Sequence, residues 1–217
     1  MDEPRAAYEK LLARFGAQHW WPARSRFEVI FGALLMPQTA WRNVEVAIAN
    51  LRKARLLSAE AIAGASIPEL RRHVQVAGLY RTKPRRLKRF CARLMEFRGD
   101  LDAFFRRDPA VVREDLLAQD GVGPETADSI LLYASRTPTF VVDAYTIRIA
   151  RRLGWVDSDD YDEVKAWFEA RLPKELAGLR EFHALLVRHA VRVCRPRPKC
   201  EKCPLNEMCA YYRTRRP

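Results

Sequence analysis

The stretch Leu116–Ala127, with the sequence LLAQDGVGPETA, joins two helices through a short glycine-containing turn. An apolar helix end runs into Gly121-Val122-Gly123, and Pro124 follows at the position that proline favours in the first turn of a helix. Glycine allows the positive φ angles of a sharp turn and lets another backbone come close. The amides at the start of the second helix can then bind a phosphate without any side chain. By itself, this GxG pattern is equally typical of an ordinary turn between helices.

The rest of the chain repeats a helical pattern of apolar residues. The spacing of one buried helix face is followed by Phe27, Ile30, Phe31, Leu34 and Leu35, by Val44, Ile48 and Leu51, by Leu87, Phe90 and Leu94, and by Val164, Phe168 and Leu172. Pro173 stops the last of these helices. Strand-like alternation is almost absent, since Phe140-Val141-Val142 is too short to count. The sequence therefore predicts an all-α fold.

The charge balance favours a polyanion as partner. The chain has 39 Lys and Arg against 27 Asp and Glu, a net charge of +12. Lys and Arg bind nucleic acids by displacing condensed counterions from phosphates. The cations cluster at Arg81, Lys83, Arg85, Arg86, Lys88 and Arg89. A basic surface without a partner is the alternative interpretation.

No apolar run approaches the length of about 20 residues that a membrane span requires, so we expect no membrane association. The first ten residues, MDEPRAAYEK, contain no apolar signal core. We therefore expect a cytoplasmic location.

Four of the five cysteines lie close together. Cys194, Cys200, Cys203 and Cys209 have the spacing C-x5-C-x2-C-x5-C. Four thiolates on a short loop can hold a [4Fe-4S] cluster or a zinc ion. Zinc ribbons usually have two CxxC pairs, so the single pair here favours the cluster, with zinc as the alternative. Cys91 lies on a predicted helix and is interpreted as a buried apolar residue.

Asp143 follows the hairpin by about 20 residues, within the stretch FVVDAYTIR at 140–148. Aspartate is favoured as a helix N-cap, and a periodic helix follows it, so a capping role is the simplest interpretation. A capping carboxylate is also a fixed carboxylate, and it can be catalytic where it faces a cleft.

These stretches carry a family resemblance. GVGPETAD at 121–128, followed by VVDAYTIRIARRLG at 141–154, resembles the hairpin and catalytic-aspartate signature of the helix-hairpin-helix DNA glycosylase superfamily. FEVIFGALLMPQT at 27–39 and GLYRTK at 78–83 are similar to endonuclease III. The resemblance extends from about Phe27 to Cys209. It includes the C-terminal iron–sulfur loop, although the first cysteine spacing in the family is commonly one residue longer.

The resemblance implies two helical lobes with a DNA-binding cleft between them. We expect one lobe at 26–136, and a second formed by 1–25 with 137–217 that ends in the cluster loop at about 194–209. It also implies a monomer that binds double-stranded DNA containing a damaged base, associated with the nucleoid if the protein is bacterial.

The sequence departs from endonuclease III at Glu125. In the family this position holds a lysine that attacks the sugar and forms a Schiff base. A carboxylate cannot do so, and Lys83, the nearest alternative amine, is expected to contact phosphate. We therefore expect a monofunctional glycosylase with little or no AP lyase activity, in which Asp143 is the catalytic residue that stabilises the sugar cation and orients water.

A second resemblance, to the bacterial 3-methyladenine glycosylases, suggests the substrate. It rests on the Trp20-Trp21-Pro22 segment, on the turn at Gln38 and on the VD-x-Y motif. Alkylated purines such as 3-methyladenine are already cationic and leave easily. The alternatives are an endonuclease III-type enzyme acting on oxidised pyrimidines or mismatches, and a non-catalytic protein that binds damaged DNA.

The resemblance also implies roles for individual side chains. The base pocket is assigned to Trp20, Trp41, Glu125 and Tyr145, and the tryptophans could instead be core residues. DNA contacts are assigned to Gln38, Leu79, Lys83, Gly121, Gly123 and Thr126. Among these, Gln38 and Leu79 would fill the gap left by the flipped nucleotide. His183 and His189 are interpreted as packing residues or phosphate contacts.

Overall fold

The computed structural model describes residues 3–214, and no strand occurs in this range. The prediction of an all-α fold is confirmed. The helices are α1 (Glu3–Phe15), α2 (Arg26–Leu35), α3 (Trp41–Lys53), α4 (Ala59–Gly64), α5 (Ile67–Val74), α6 (Lys83–Met95), α7 (Leu101–Phe105), α8 (Pro109–Leu117), α9 (Pro124–Ile130), α10 (Ala144–Leu153), α11 (Tyr161–Glu169), α12 (Leu176–Arg192) and α13 (Ala210–Arg213). A π-helical turn, Leu131–Ser135, extends α9. Within residues 3–214, no helix is long and apolar enough to cross a membrane.

The chain divides into two compact units. One consists of Ala23–Thr137, and the other joins the chain up to Pro22 with the chain from Pro138 onward. The first unit contains α2 to α9, and the second contains α1 and α10 to α13. The hairpin and the basic stretch therefore belong to the first unit, whereas Asp143 and the four clustered cysteines belong to the second.

Most helix starts are set by a capping side chain. Side-chain oxygens accept from first-turn amides at Ser25, Ser58, Ser66, Asp100, Asp108, Asp143, Asp160 and Glu175. Such a bond satisfies an amide that has no partner within the helix. The starts of α3, α6, α9 and α13 have no such bond, so these four starts depend on other interactions.

The core of the Ala23–Thr137 unit is built around α2. Every residue from Glu28 to Leu35 is buried, and α2 packs against α3, α6 and α9. The buried Glu28 carboxylate accepts from Arg52 Nη2 at 2.8 Å and from Arg52 Nε at 2.9 Å. The apolar run thus forms a central helix, and its one acidic residue is compensated by an arginine.

The core of the other unit is aromatic. The Phe140 and Phe168 rings stack with centroids 4.4 Å apart, and the Phe182 ring lies 6.1 Å from each. These contacts join the extended segment before α10 to α11 and α12. The helix containing Phe168 ends at Glu169 rather than near Leu172, so the predicted end was about one turn too late.

Candidate functional site

The turn between α8 and α9 is formed by Gly121, Val122 and Gly123. Gly121 has a φ of 75°, whereas Gly123 is extended with φ −92° and ψ 178°. The expectation of positive φ is therefore correct for Gly121 and wrong for Gly123. Val122 is buried, and its amide donates to Gln119 O at 3.0 Å. The buried valine anchors the turn, and both glycines are exposed.

Two predicted site residues follow on the first turn of α9. Glu125 is exposed, whereas Thr126 is buried with 8% of its surface accessible. Gly123 caps the helix without a side chain. A phosphate contact at Thr126 would therefore be made by the main chain rather than by the hydroxyl.

The basic stretch on α6 is partly committed to internal contacts. A Cβ at Gly121 would lie 2.1 Å from Arg86 Nε, so the Arg86 side chain packs directly on the glycine turn. Arg89 Nη1 pairs with Asp120 Oδ2 at 2.6 Å. Lys88 Nζ donates to two main-chain carbonyls at the end of α4, at 2.7 and 2.5 Å. These cations hold α6 to the hairpin and to α4, so the charge cluster is not simply a solvated surface.

The loop before α6 places Leu79 at the surface. Gly78 and Leu79 have consecutive positive φ angles of 75° and 44°, and Leu79 is 37% exposed. Leu79 O accepts from the amides of Thr82 at 2.9 Å and Lys83 at 3.0 Å. These bonds tie the base of the loop to the start of α6 and leave the leucine side chain exposed.

Gln38, like Leu79, has a backbone conformation with positive φ. It is exposed with a φ of 58°. The adjoining Thr39 amide donates to Met36 O at 3.2 Å, and Asn43 Nδ2 donates to Thr39 Oγ1 at 3.2 Å. Left-handed backbone is uncommon for residues other than glycine and is found disproportionately at functional sites. Both residues predicted to enter the duplex thus lie in the Ala23–Thr137 unit on bonded, left-handed turns.

Lys83 does not match its predicted phosphate-contacting role. Its side chain is fully buried, and Nζ donates to Ala77 O at 2.6 Å. Burial, followed by the nearby Arg86 charge, lowers the pKa of Lys83 to about 8. The predicted contact is corrected: the ammonium stabilises the chain just before Gly78 and is not available at the surface.

The predicted aromatic residues of the base pocket belong to different units. Trp41, in the Ala23–Thr137 unit, is the first residue of α3 and is half-buried. Trp20, in the other unit, is half-buried with its ring 5.3 Å from that of Trp21. Tyr145 is 38% exposed, and the Arg148 guanidinium lies 5.2 Å from its ring centroid. Tyr145 is the most exposed of these aromatic rings.

Asp143 is the N-cap of α10. Its Oδ1 accepts from the Thr146 amide at 2.7 Å, so the predicted capping role is confirmed and involves one of the two oxygens. The other oxygen, Oδ2, lies 3.8 Å from His183 Nε2, and 12% of the Asp143 side chain is accessible. The carboxylate is therefore fixed at one oxygen, faces an imidazole at the other, and retains a small exposed area.

His183 was not recognised in the sequence as a partner of Asp143. It lies on α12 with 7% of its surface accessible. Burial lowers the pKa of His183, and the Asp143 charge partly opposes this effect. His189 is also buried, so the expectation of phosphate contacts at these two histidines was wrong, whereas packing was right. The available signal was a polar residue on the apolar face of a helix, but its partner, 40 positions away, could not be identified from spacing.

The four clustered cysteines line one pocket. All are free thiols; Cys194 and Cys209 are buried, and Cys200 and Cys203 are half-buried. Burial raises the pKa of the Cys203 thiol to about 11, and the neighbouring cysteines add to this effect. Within residues 3–214, no group of three or more His, Cys, Asp or Glu side chains is placed to hold a single metal ion.

Side chains from α10 and α12 surround this pocket. Arg152 Nη1 lies 3.4 Å from Cys194 Sγ and donates to Arg195 O at 2.7 Å. His189 Nε2 lies 3.6 Å from Cys203 Sγ. The cysteine loop is therefore held against α10 and α12, while its basic residues Arg195, Arg197, Lys199 and Lys202 are exposed.

Comparisons with known proteins agree with this architecture. Residues 31–174 match the family model described as HhH-GPD superfamily base excision DNA repair protein. A Methanocaldococcus jannaschii protein, named as a candidate DNA repair glycosylase, is 43% identical over 205 residues, with 93% of each chain covered. Endonuclease III of Sulfolobus acidocaldarius is 30% identical over 192 residues, covering 87% of this chain and 83% of that protein.

Solved structures support the same conclusion. A non-covalent endonuclease III–DNA complex superposes with a TM-score of 0.82 and 25% identity, covering 99% of this chain and 98% of that one. The Helicobacter pylori 3-methyladenine DNA glycosylase MagIII, bound to 1,N6-ethenoadenine, gives a TM-score of 0.77 and 28% identity, covering 88% and 96%. The chain belongs to the HhH-GPD superfamily of base excision repair DNA glycosylases and has the endonuclease III fold.

Proposed function

We propose that this glycosylase is monofunctional and hydrolyses the N-glycosidic bond of alkylated purines, such as 3-methyladenine, in double-stranded DNA. The observation that carries the proposal is the absence of a suitable amine at the two positions where the family motifs would place one. Glu125 occupies the expected lysine position and is exposed. Lys83, the nearest alternative by motif, is fully buried with its ammonium bound to Ala77 O. Neither can form a Schiff base in this conformation.

Asp143 is the proposed catalytic carboxylate. As the bond from C1′ to the base nitrogen breaks, the base leaves with the electron pair and the sugar becomes cationic. A fixed carboxylate stabilises this charge without reorganising. Water then adds to C1′ and gives its proton to Asp143 or to solvent, which leaves an intact abasic strand. The Thr146 amide supports this role because it holds one carboxylate oxygen in place.

An alkylated purine suits such a site because the cationic base leaves as a neutral molecule. The resemblance to MagIII supports this substrate class. In the proposal, the aromatic faces at Trp20, Trp41 and Tyr145 are candidates for stacking on an extruded base, and Glu125 is a candidate contact to that base. Gln38 and Leu79 fill the resulting gap, and the amides around Gly121, Gly123 and Thr126 bind a phosphate.

A second candidate function is excision of mismatched thymine or of oxidised pyrimidines. It is favoured by the relatives named endonuclease III and by a thymine-DNA glycosylase of Aeropyrum pernix that is 27% identical over 199 residues. A damage-binding protein without catalysis is the third.

The deciding experiment measures base release from methylated DNA, oxidised-pyrimidine DNA and mismatched uracil or thymine DNA, with the wild type and Asp143→Asn. We expect the wild type alone to release methylated purines and to leave uncut abasic strands. Release of pyrimidines instead would select the second function. Tight binding without release from any substrate would select the third.

Borohydride trapping tests the monofunctional character. The wild type should give no covalent adduct with DNA containing an abasic site, and Glu125→Lys should give one, because a lysine is restored at an exposed position. Glu125→Gln is the matched control and should give none. Trapping of the wild-type protein would show that another amine acts, and would contradict the proposal.

The four-cysteine pocket is the proposed site of a [4Fe-4S] cluster. Four cysteines with a single CxxC pair favour the cluster over zinc, because zinc ribbons usually have two such pairs. All four cysteines line the same pocket. When bound, the cluster would cross-link the Cys194–Cys209 loop and support its exposed cations. Iron and sulfide analysis should give about four of each per chain, and Cys203→Ala should lose both; stoichiometric zinc would select the alternative.

A further inference from the structure

The imidazole of His183 and the carboxylate of Asp143 form a pair that no assigned role explains. Asp143 has two differently held oxygens: Oδ1 accepts from the Thr146 amide at 2.7 Å, and Oδ2 lies 3.8 Å from His183 Nε2. The first contact is within the helix that Asp143 caps. The second comes from α12, so the orientation of the carboxylate also depends on tertiary packing.

The position of His183 is itself well determined. The preceding Phe182 packs with Phe140 and Phe168 in the aromatic core, and α12 packs against both α1 and α10. Glu181, the acidic neighbour on the same helix, is engaged elsewhere, because its Oε1 accepts from the Gln18 amide at 2.5 Å. Asp143 is therefore the acid that faces His183, while Glu181 holds the N-terminal segment.

We propose that His183 is a positioning residue: its imidazole fixes Oδ2 of Asp143 while the Thr146 amide fixes Oδ1, so that the carboxylate cannot rotate away from the sugar. A single bond to Oδ1 leaves rotation about the bond to Cβ open, and a contact at Oδ2 removes this freedom. The 3.8 Å distance is that of a charge–dipole or ion-pair contact rather than a direct hydrogen bond. This inference rests on the proposed role of Asp143 in glycosidic bond hydrolysis.

The kinetic test compares His183→Phe, which keeps a ring but has no N–H dipole to face Oδ2, with His183→Gln, whose amide N–H dipole can face it. Leu185→Val, a buried change on the same helix, is the control for packing. Misplacement of a reacting group by about 1 Å can cost on the order of 100-fold in rate. We expect the Phe variant to lose about that factor in the single-turnover rate of base release, with unchanged affinity for lesion-containing DNA. The Gln variant should recover most of the loss.

A wild-type rate in His183→Phe, or an equal loss in the Phe and Gln variants, would overturn the inference. If His183→Phe does not fold, His183→Leu replaces it as the variant without a donor.

A second measurement does not depend on activity. The imidazole titration of His183, followed by NMR, should move to lower pH in Asp143→Asn, because the carboxylate charge favours the protonated ring. Other charges in this unit, such as Glu181 and Glu175, are unchanged by that substitution. An unchanged titration would show that His183 and Asp143 do not interact, and would overturn the inference. A shifted titration in a protein that releases no base would support the pair while refuting the proposed function.

Discussion

The helices α9 and α10 begin in opposite ways. Gly123 starts α9 without a side-chain cap, whereas Asp143 starts α10 with a carboxylate that accepts from Thr146 N at 2.7 Å. Both starts have the partial positive charge of a helix N-terminus. The first has no side-chain cap and an exposed acid, Glu125, in its first turn, and the second has a capping carboxylate. The same backbone feature can thus be left uncapped or be capped by a carboxylate, depending on one residue.

The start of α6 differs from both, because its first residue is a cation. It begins with Lys83, a cation at the position where the helix dipole favours an anion. The side chain is directed to Ala77 O, and the pKa is lowered to about 8. The molecule keeps this buried ammonium next to the Leu79 turn, which indicates a role in holding that turn.

The largest effect is expected when the charge at the start of α10 is removed but the cap is kept. Asn caps helices about as well as Asp, so Asp143→Asn should change the free energy of unfolding by less than about 1 kcal/mol. Its rate of base release should fall by about 100-fold or more, because the charge that stabilises the sugar cation is lost. Asp143→Ala should lose the rate and also about 1 kcal/mol of stability.

Single-turnover base release and urea denaturation separate these two effects. Equal loss of stability in the Asn and Ala variants would mean that the carboxylate charge, rather than its capping bond, stabilises α10.

An intermediate effect on the free energy of unfolding is expected from the titration of Lys83 at the start of α6. Below about pH 8, Lys83 is protonated in both the folded and unfolded states, and the folded state bears the full cost of the buried charge. As pH rises through 8, the folded state loses the proton while the unfolded state keeps it until about 10.5. The wild type should therefore gain stability relative to Lys83→Met, on the order of 2 kcal/mol between pH 7 and pH 9.5.

Urea denaturation of the wild type and of Lys83→Met at pH 7 and pH 9.5 measures this difference in stability. The contributions of the titrating groups that both proteins share cancel in the comparison. A constant difference would show that the ammonium is not destabilised by burial.

The smallest effects are expected at the start of α9, where two glycines form a matched pair. Gly121 has a φ of 75° and packs on Arg86, so Gly121→Ala should cost about 1–2 kcal/mol. Gly123 has a φ of −92°, and a methyl group added there would meet no other atom within 4 Å. Gly123→Ala should cost less than about 1 kcal/mol of stability but weaken DNA binding several-fold, because the methyl group shields the amides.

Unfolding curves and DNA affinity at fixed salt concentration test this pair. Unchanged DNA affinity in Gly123→Ala would argue against phosphate binding at this turn.

Much of the local structure could be predicted because its causes lie within a few residues. The apolar spacing around Ile30 and Phe31 predicted α2, and the cap at Asp143 followed from its preference for helix starts. The positive φ of Gly121 was also predictable, whereas the extended backbone of Gly123 was not, because only one of the two residues has to reverse the chain. Position alone could not distinguish them.

By itself, the sequence determined the helical class, the capped start of α10 at Asp143, and the family, since each depends on near neighbours or on motif order. Tertiary structure decided the burial of Lys83, the use of Lys88 and Arg86 as internal cations, and the meeting of Asp143 with His183. These outcomes depend on which helices pack together. A charged residue looks the same in the sequence whether it faces water or a carbonyl, and only the packing around it makes the difference.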